Sequence, residues 1–425
     1  MKRMAMVLAL LSFVAVITSP AHGTNGDNLI AVGPNARAMG GVGIAYPLDA
    51  ISAVFANPAA MCFAPYCPSS QFNFSGTLFM PKVEATITGA GGVVEADSTR
   101  KVYAIPAIGL SVPMGSNVSR WRFGLAAYGV SGLGVDYRGS VIDNPNYYAP
   151  SVPLVSGEYT QLQIMKFAPS FAYQLSERLS LGVAFHIDYS SLDLRRGSSF
   201  NYGFGVQPGV IYKPTDSVSI GLTYTSPQSV DHKDVTDFDQ DGTLDTLELE
   251  APQQIGFGIA HKSLNGGLLV EADAKWVNWS DAAGYKDFDW DDQWVLALGV
   301  QIKPTNKFSL SAGYHYSENP LNEHNGWDGS FTGPVPNSIN TVQDKNIGSY
   351  YYETFRIIGF PAIVQHHLTF GIGYQFTDTF SMDICYMYAF KETITENGTD
   401  PTGQLVNLES SLSEDSIDFG LTWRF

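Results

Sequence analysis

The sequence predicts an all-β fold: a closed, antiparallel transmembrane β-barrel of fourteen strands, plugged by a small, partly helical N-terminal segment. Three observations lead there. Side-chain character alternates with period two through segment after segment of about ten residues, the length a tilted strand needs to cross a bilayer. The connections alternate between short turns and long loops. One stretch near the start, Gly33 to Ala60, has none of this character.

The alternation is plainest from Leu179 to Tyr189. Leu179, Leu181, Val183, Phe185, Ile187 and Tyr189 form an apolar face, and Ser180, Gly182, Ala184, His186 and Asp188 form a small or polar one. Phe380 to Phe390 and Trp294 to Ile302 repeat the pattern. A soluble sandwich strand also alternates, so the uniform length is what points to a membrane. Strands are expected at 69–80, 102–112, 121–130, 159–174, 179–190, 202–213, 217–226, 252–262, 267–277, 292–302, 308–317, 365–376, 379–390 and 416–425. An even count suits a closed bacterial barrel, and closure removes the edges that lipid cannot satisfy. Short connections fall at 175–178, 214–216, 263–266, 303–307 and 377–378; long ones fall at 81–101, 131–158, 227–251, 278–291, 318–364 and 391–415. That asymmetry predicts periplasmic turns and extracellular loops.

Composition agrees. Net charge is −17, and −19 once a leader carrying Lys2 and Arg3 is removed. Such a chain lacks the basic face a nucleic-acid partner requires. Only 15% of residues are charged, and no apolar run after the leader reaches the ~18 residues of a membrane helix. The leader has a charged start, an apolar Met4–Ile17 stretch and small residues at Ala21-His22-Gly23, so residues 1–23 are expected to be a signal peptide. Export places the mature chain outside the reducing cytoplasm, where Cys62 and Cys67 would close a small disulfide loop. Cys385 sits alone inside a strand and is expected to pack.

Gly33 to Ala60 is too short and too poor in large apolar residues to build its own core. It must pack against or inside something. Asp49 near the start of Leu48–Phe55 and Pro58 beyond its end predict a short helix there.

Residues Ala38-Met39-Gly40-Gly41, Asp49-Ala50 and Asn57-Pro58-Ala59 carry a family resemblance. So do Gly132-Leu133-Gly134-Val135-Asp136-Tyr137, Ala168-Pro169-Ser170-Phe171-Ala172-Tyr173 and the C-terminal strand SIDFGLTWRF with its final Phe. Together with the leader and the strand count, the mature chain resembles the FadL family of outer-membrane transporters for long-chain fatty acids and hydrocarbons. The resemblance implies a hatch at 24–68, anchored by Asn57, Pro58 and Ala59, within a barrel at 69–425. It implies uptake of a hydrophobic small molecule by binding in the lumen, hatch movement and lateral release into outer-membrane lipid through a gap at the third strand. Lateral exit has a physical rationale, since a hydrophobe gains about 0.8 kcal/mol per CH₂ on leaving water. Gly129, Gly132 and Gly134 fit the gap, because glycines in a strand weaken pairing and permit a bulge. An ordinary strand end is the competing reading. A monomer with no catalytic residues and no cofactor for transport is expected; an open porin or a surface adhesin is the alternative.

Parity suggests further sites. Leu162, Ile164 and Lys166 face the lumen if Phe167, Phe171 and Tyr173 face lipid, and an apolar wall beside one cation suits an acyl chain and its carboxylate. Arg195 and Arg196 are rival cations. Lys275 is another, although Glu271 and Asp273 on its face offer it partners; for any of these, an internal salt bridge is the commoner role. His186, His315 and His367 face the lumen without forming a triad with Ser and an acid. Val141, Ile142, Leu154 and Val155 in the 131–158 loop suit an outer apolar groove. Finally, Asp237, Asp239, Asp241, Thr243, Asp245 and Glu248 match the ligand positions of a calcium loop, with Gly242 at its turn, which predicts a structural Ca²⁺ in the 227–251 loop.

Overall fold

The computed structural model describes residues 24–62, 70–99, 102–115, 119–143 and 154–425. The expected signal peptide and Cys67 lie outside the described residues. Among the described residues, sixteen strands share one sheet; Gly92–Asp97 and Asn325–Trp327 are short additions, and the remaining fourteen close a barrel. They are β1 Gln71–Gly89, β2 Tyr103–Pro113, β3 Trp121–Leu133, β4 Gln161–Ser176 and β5 Leu179–Asp193. Next come β6 Ser199–Tyr212, β7 Val218–Thr225, β8 Gln254–Ser263, β9 Leu268–Val277 and β10 Gln293–Ile302. The last are β11 Phe308–Ser317, β12 His366–Gln375, β13 Phe380–Thr399 and β14 Leu405–Arg424. Each pairs antiparallel with its neighbours, and β14 returns to β1 from Gln71↔Arg424 to Gly89↔Val406.

The parity argument holds on the wall. Phe204, Trp294 and Ile372 point outward at 70%, 54% and 53% exposure. Their alternating partners Gln207, Gln293 and Thr369 are buried inside. Apolar groups this exposed suit lipid and not water.

Three strands are much longer than the pattern predicts. Residues 81–89, 391–399 and 405–415 were expected as loop but continue β1, β13 and β14, which run 19, 20 and 20 residues. Alternation persists there, with Val83, Ala85, Ile87, Ile394, Val406 and Leu408 buried inside. The outer face turns polar instead, with Lys391 paired to Glu84 and Lys82 3.7 Å from Asp415. Long loops carry their own structure as well. Gln228–Thr236 pairs with Asp245–Ala251 in a hairpin. The 318–364 connection folds into two hairpins, helix α3 at Ser349–Thr354 and a π-turn at Phe355–Gly359.

Residues 24–62 lie against the inner wall. Pro34–Arg37 forms a helical turn, α1, and Ala50–Ala56 forms helix α2, which starts two residues later and ends one later than expected. Asp49 caps α2 by accepting from Ser52 N, and Asn57 ends it in an extended conformation. Ile51 and Val54 are fully buried, each stabilising the docked segment by about 1.5–3 kcal/mol. The segment approaches the wall most closely where inward positions are glycine. A Cβ on Gly313 would lie 2.0 Å from Gly40 N, and one on Gly221 would lie 2.0 Å from Ile44 O. Gly40 itself adopts φ +72°, a left-handed conformation that glycine permits without strain.

Gly313→Val therefore leaves the lipid-facing wall intact and displaces residues 39–41. The expected outcome is a folded barrel whose N-terminal segment becomes protease-sensitive; a variant whose segment stays as protected as in the parent would contradict this packing.

Candidate functional site

The N-terminal segment is too short to satisfy its own backbone, so the wall does it. On β9, Asp273 Oδ2 accepts from Gly43 N and Ile44 N at 2.9 and 3.1 Å. Two residues earlier, Glu271 Oε1 accepts from Ala45 N and Tyr46 N at 2.7 and 3.1 Å. Carboxylate acceptors are among the stronger partners for an amide. Both acids thus serve the segment rather than Lys275, which is left on a cavity wall. Gln207 donates to Phe55 O and Ala56 O, Ser180 to Ala59 O, and His315 Nδ1 lies 2.9 Å from Gly40 O. Arg37, buried to 1%, donates to Ser416 and to Ala31 O and sits 3.4 Å from Asp418.

Asn57 is a junction. Its Nδ2 donates to Ile44 O at 2.8 Å and to Val210 O of β6 at 3.2 Å, while its Oδ1 accepts from Ala59 N. Pro58 and Ala59 then start a 3₁₀ turn, Pro58–Cys62, against β5 and β6. Cys62 is disulfide-bonded; its expected partner Cys67 is outside the described residues. Cys385 is buried and free.

The third strand carries the other half of the site. Between β2 and β3 the ladder stops at Ala107↔Tyr128, so 103–106 and 129–133 share no pairing. Opposite, β3 bulges against β4 between Gly129 and Ser131. Pro106 in β2 has no N–H to offer a ladder. Ile105 fills the gap, its Cγ2 only 2.5 Å from where a Gly129 Cβ would lie. Gly134 is held close to Thr160 O, whereas Gly132 has more room. The freed edge of β3 is taken by the segment: Leu29 N donates to Val130 O at 2.9 Å, and Gly132 N to Asp27 O at 3.4 Å.

Between these two halves lies a cavity of about 70 Å³. Asp27, Leu29 and Phe55 of the segment bound it, with Tyr128 and Val130 of β3 and Lys166 of β4. Lys166 is fully engaged, 3.4 Å from Asp188 and 2.6 Å from Gln228 Oε1, with His186 beside it. Ile164 also lines this cavity, but Leu162 is buried in the core and does not. Arg195 and Arg196 line a different cavity of about 520 Å³ among the long loops. There Arg195 pairs with Asp143 and Glu158. The rival cations are thus separated: Lys166 borders the lumen cavity, whereas Arg195 and Arg196, beyond the end of β5, line the outer one. Ile142, Leu154 and Val155 are core rather than groove, at 0% exposure.

The six expected calcium ligands are likewise divided. Asp237, Asp239 and Asp241 offer carboxylate oxygens within 4.8 Å of one another. Thr243 folds back onto Asp241. Asp245 is ion-paired to Lys345 at 2.9 Å, and Glu248 is drawn into the hairpin opposite Asp231. The hairpin ladder overrides the coil that a six-ligand loop needs.

Sequence pattern did not single out an aromatic trio. Trp279, Tyr285 and Trp290, with ring centroids 4.5–5.0 Å apart, close around Gly26, and the Tyr285 hydroxyl donates to Asp27 Oδ2. The signal was the density of aromatics in WVNWSDAAGYKDFDW.

The chain matches the family model described as outer membrane protein transport protein (OMPP1/FadL/TodX) over residues 12–201 and 190–327. No curated protein sequence matches it. Among solved structures, it is similar to the Pseudomonas putida toluene transporter TodX, at TM-score 0.66 and 20% identity, over 95% of this chain and 100% of that one. It is similar to a Pseudomonas aeruginosa FadL homologue at TM-score 0.67 and 16% identity, over 96% and 100%. The Ralstonia pickettii toluene transporter TbuX matches at TM-score 0.60 and 16% identity, over 93% and 98%. Likeness at these identities carries the fold.

The burial of Asp27 predicts that docking of the segment depends on pH. Burial raises its carboxyl from 3.8 to about 6, against the opposing Tyr285 hydrogen bond. The docked state thus holds the proton more tightly than the released one. This contribution to docking is fully present below about pH 4 and is lost as pH rises through 6. Protease release of residues 24–32 is expected to increase between pH 4 and pH 7, and Asp27→Asn to flatten the profile; identical profiles for the two chains would exclude Asp27 as the source.

Proposed function

This chain belongs to the OMPP1/FadL/TodX family of outer membrane transport proteins, and from that premise we propose that it takes up hydrophobic small molecules, long-chain fatty acids or hydrocarbons, by lumen binding, movement of the N-terminal hatch and lateral release at β3. The observation that carries the proposal is the position of the cavity. Its wall is built jointly by the hatch, through Asp27, Leu29 and Phe55, and by Tyr128 and Val130 of β3, where pairing to β2 has ended. Its 70 Å³ holds a few waters, so an organic ligand can enter only by displacing part of that wall. The elements it would displace first are the tail at 25–29, which touches the cavity, and the β3 edge to which Asp27 and Leu29 are bonded. A ligand arriving there gains by leaving water and gains nothing by returning to it, which favours lipid as the exit. An open porin would not fill its lumen with a bonded segment.

A disulfide across the gap tests the lateral route. Ile105 Cβ lies 3.9 Å from an ideal Cβ on Gly129, within the span of a disulfide. Cells carrying Ile105→Cys with Gly129→Cys are expected to lose uptake of the transported class, offered as a fatty acid, an alkane or a monoaromatic, and to regain it under reductant. The single variants and the parent, treated identically, control for the disulfide at Cys62. Uptake unaffected by the closed bridge would discard lateral exit, and a large steady conductance of the parent in planar bilayers would discard the transporter reading in favour of a porin.

The acidic loop carries a separate proposal. Calcium held by Asp237, Asp239 and Asp241 would order residues 237–248, because three carboxylates this close repel one another and Lys345 Nζ, 3.9 Å from Asp239, offers them one positive charge against three negative. Limited proteolysis across a calcium titration should show protection of this loop; a flat titration discards it.

A further inference from the structure

A second cluster of ligand-type side chains sits on the long-loop end of the barrel, away from the lumen cavity. His324 and Glu353 come from the 318–364 connection, and Glu396 from the extension of β13. One ligand atom from each lies within 4.8 Å of the other two. Glu353 and Glu396 are 2% and 0% exposed.

Two features separate this cluster from a solvated acidic patch. His324 Nε2 lies 2.7 Å from Asp289 Oδ2, which accepts its N–H. That is how a metal-ligating histidine is usually oriented: a carboxylate takes one ring N–H and leaves the other nitrogen's lone pair free. The other nitrogen, Nδ1, lies 2.9 and 3.1 Å from the two oxygens of Glu353. With Nε2 protonated, that contact places lone pair against lone pair unless a proton or a cation lies between. A proton would join Nδ1 to Glu353 alone. Glu396 Oε2 would stay as it is, buried and without a hydrogen-bond partner. A metal ion would join all three.

Charge leads the same way. Arg356 pairs with Glu353 Oε2 at 3.0 Å and with Glu396 Oε1, so it neutralises one of three nearby carboxylates. Asp289, Glu353 and Glu396 carry three negative charges against the single positive charge of Arg356, an excess that His324 meets either as imidazolium or, neutral, beside one divalent ion. One imidazole and carboxylate oxygens form a donor set of the zinc class, harder than a thiolate site and softer than a calcium site.

The geometry points to a divalent transition-metal site of the zinc class at His324, Glu353 and Glu396, oriented by Asp289, which ties the outer connection to the barrel wall. Glu353 lies in α3, and the π-turn that follows places Gly359 O on Thr160, so the ion would fix the segment that roofs the outer cavity. The proposal is independent of what the barrel transports.

The test uses the full mature chain, folded in detergent, stripped with chelator and titrated with Zn²⁺. One equivalent is expected to bind, with affinity falling at least about tenfold in His324→Gln and in Glu396→Gln and about 10–100-fold in Asp289→Asn. Zinc should also protect residues 349–359 from protease in the parent and not in His324→Gln. Heat-modifiable migration of the folded barrel confirms that each variant is intact; if Glu396→Gln fails to fold, His324→Gln and Asp289→Asn carry the test. Absence of stoichiometric binding, binding unchanged in His324→Gln, or binding lost only in Asp239→Asn would overturn the assignment.

Discussion

The structure depends on satisfying a segment of backbone that cannot satisfy itself. Between α1 and α2, residues 38–49 have no regular ladder, yet Met39, Val42 and Ala45 are completely buried. Each unpaired amide there would cost about 1–3 kcal/mol. The wall answers with side chains: Asp273 and Glu271 take four consecutive amides, Thr369 takes Gly40 N, and Asn73 takes Ala50 N. A wall that must reach backbone this closely cannot also carry side chains at the contact line. Hence inward positions on β5 to β7, β10 and β11 are Gly182, Gly209, Gly221, Gly299 and Gly313, each meeting segment atoms at 2.0–2.4 Å if a Cβ is added. Removing the segment would leave buried carboxylates and a channel together.

Much of this is legible from residues alone, for a definable reason. In a barrel of tilted strands, period two is imposed by lipid on one side, so Leu179–Tyr189 or Trp294–Ile302 announces both the strand and its orientation. Where lipid ends the outer face becomes polar, and 391–399 reads as loop although Ile394 remains inside. The inward glycines stand out in the alternation too, but only their contacts with residues 39–59 show that they mark the path of the segment. What period cannot report is height. Leu162 and Ile164 share the inward face of β4, but only Ile164 lines the lumen cavity. Nor can a local motif report a distant partner. The ligand spacing at 237–248 is correct, yet Lys345, about a hundred residues away, pairs with Asp245.

The cations illustrate how the partner decides the role. Lys166 is paired inside the wall with Asp188, a close contact in which removing one member would strand the other. Lys275 had two acids on its own face, but both accept from the segment's amides; it borders the same cavity as Lys166. The acids that could have paired Lys275 are thus committed by where the N-terminal segment lies.

The same logic joins the tail to the gap. Where β2 leaves β3, the edge from Val130 to Gly132 holds backbone groups that lipid cannot satisfy. Leu29 N and Asp27 O satisfy two of them. On the proposed route, a tail that withdraws uncovers that edge, whose amides and carbonyls must then re-pair with β2 or be met by water. Ile105 and Pro106 oppose re-pairing, one by filling the space beside Gly129 and the other by lacking an amide hydrogen. A hydrophobic ligand in the gap cannot replace the bonds that Leu29 N and Asp27 O supply. The unpaired edge therefore favours redocking of the tail once the way is clear, because the tail's Leu29 N and Asp27 O offer partners of the right kind at that edge.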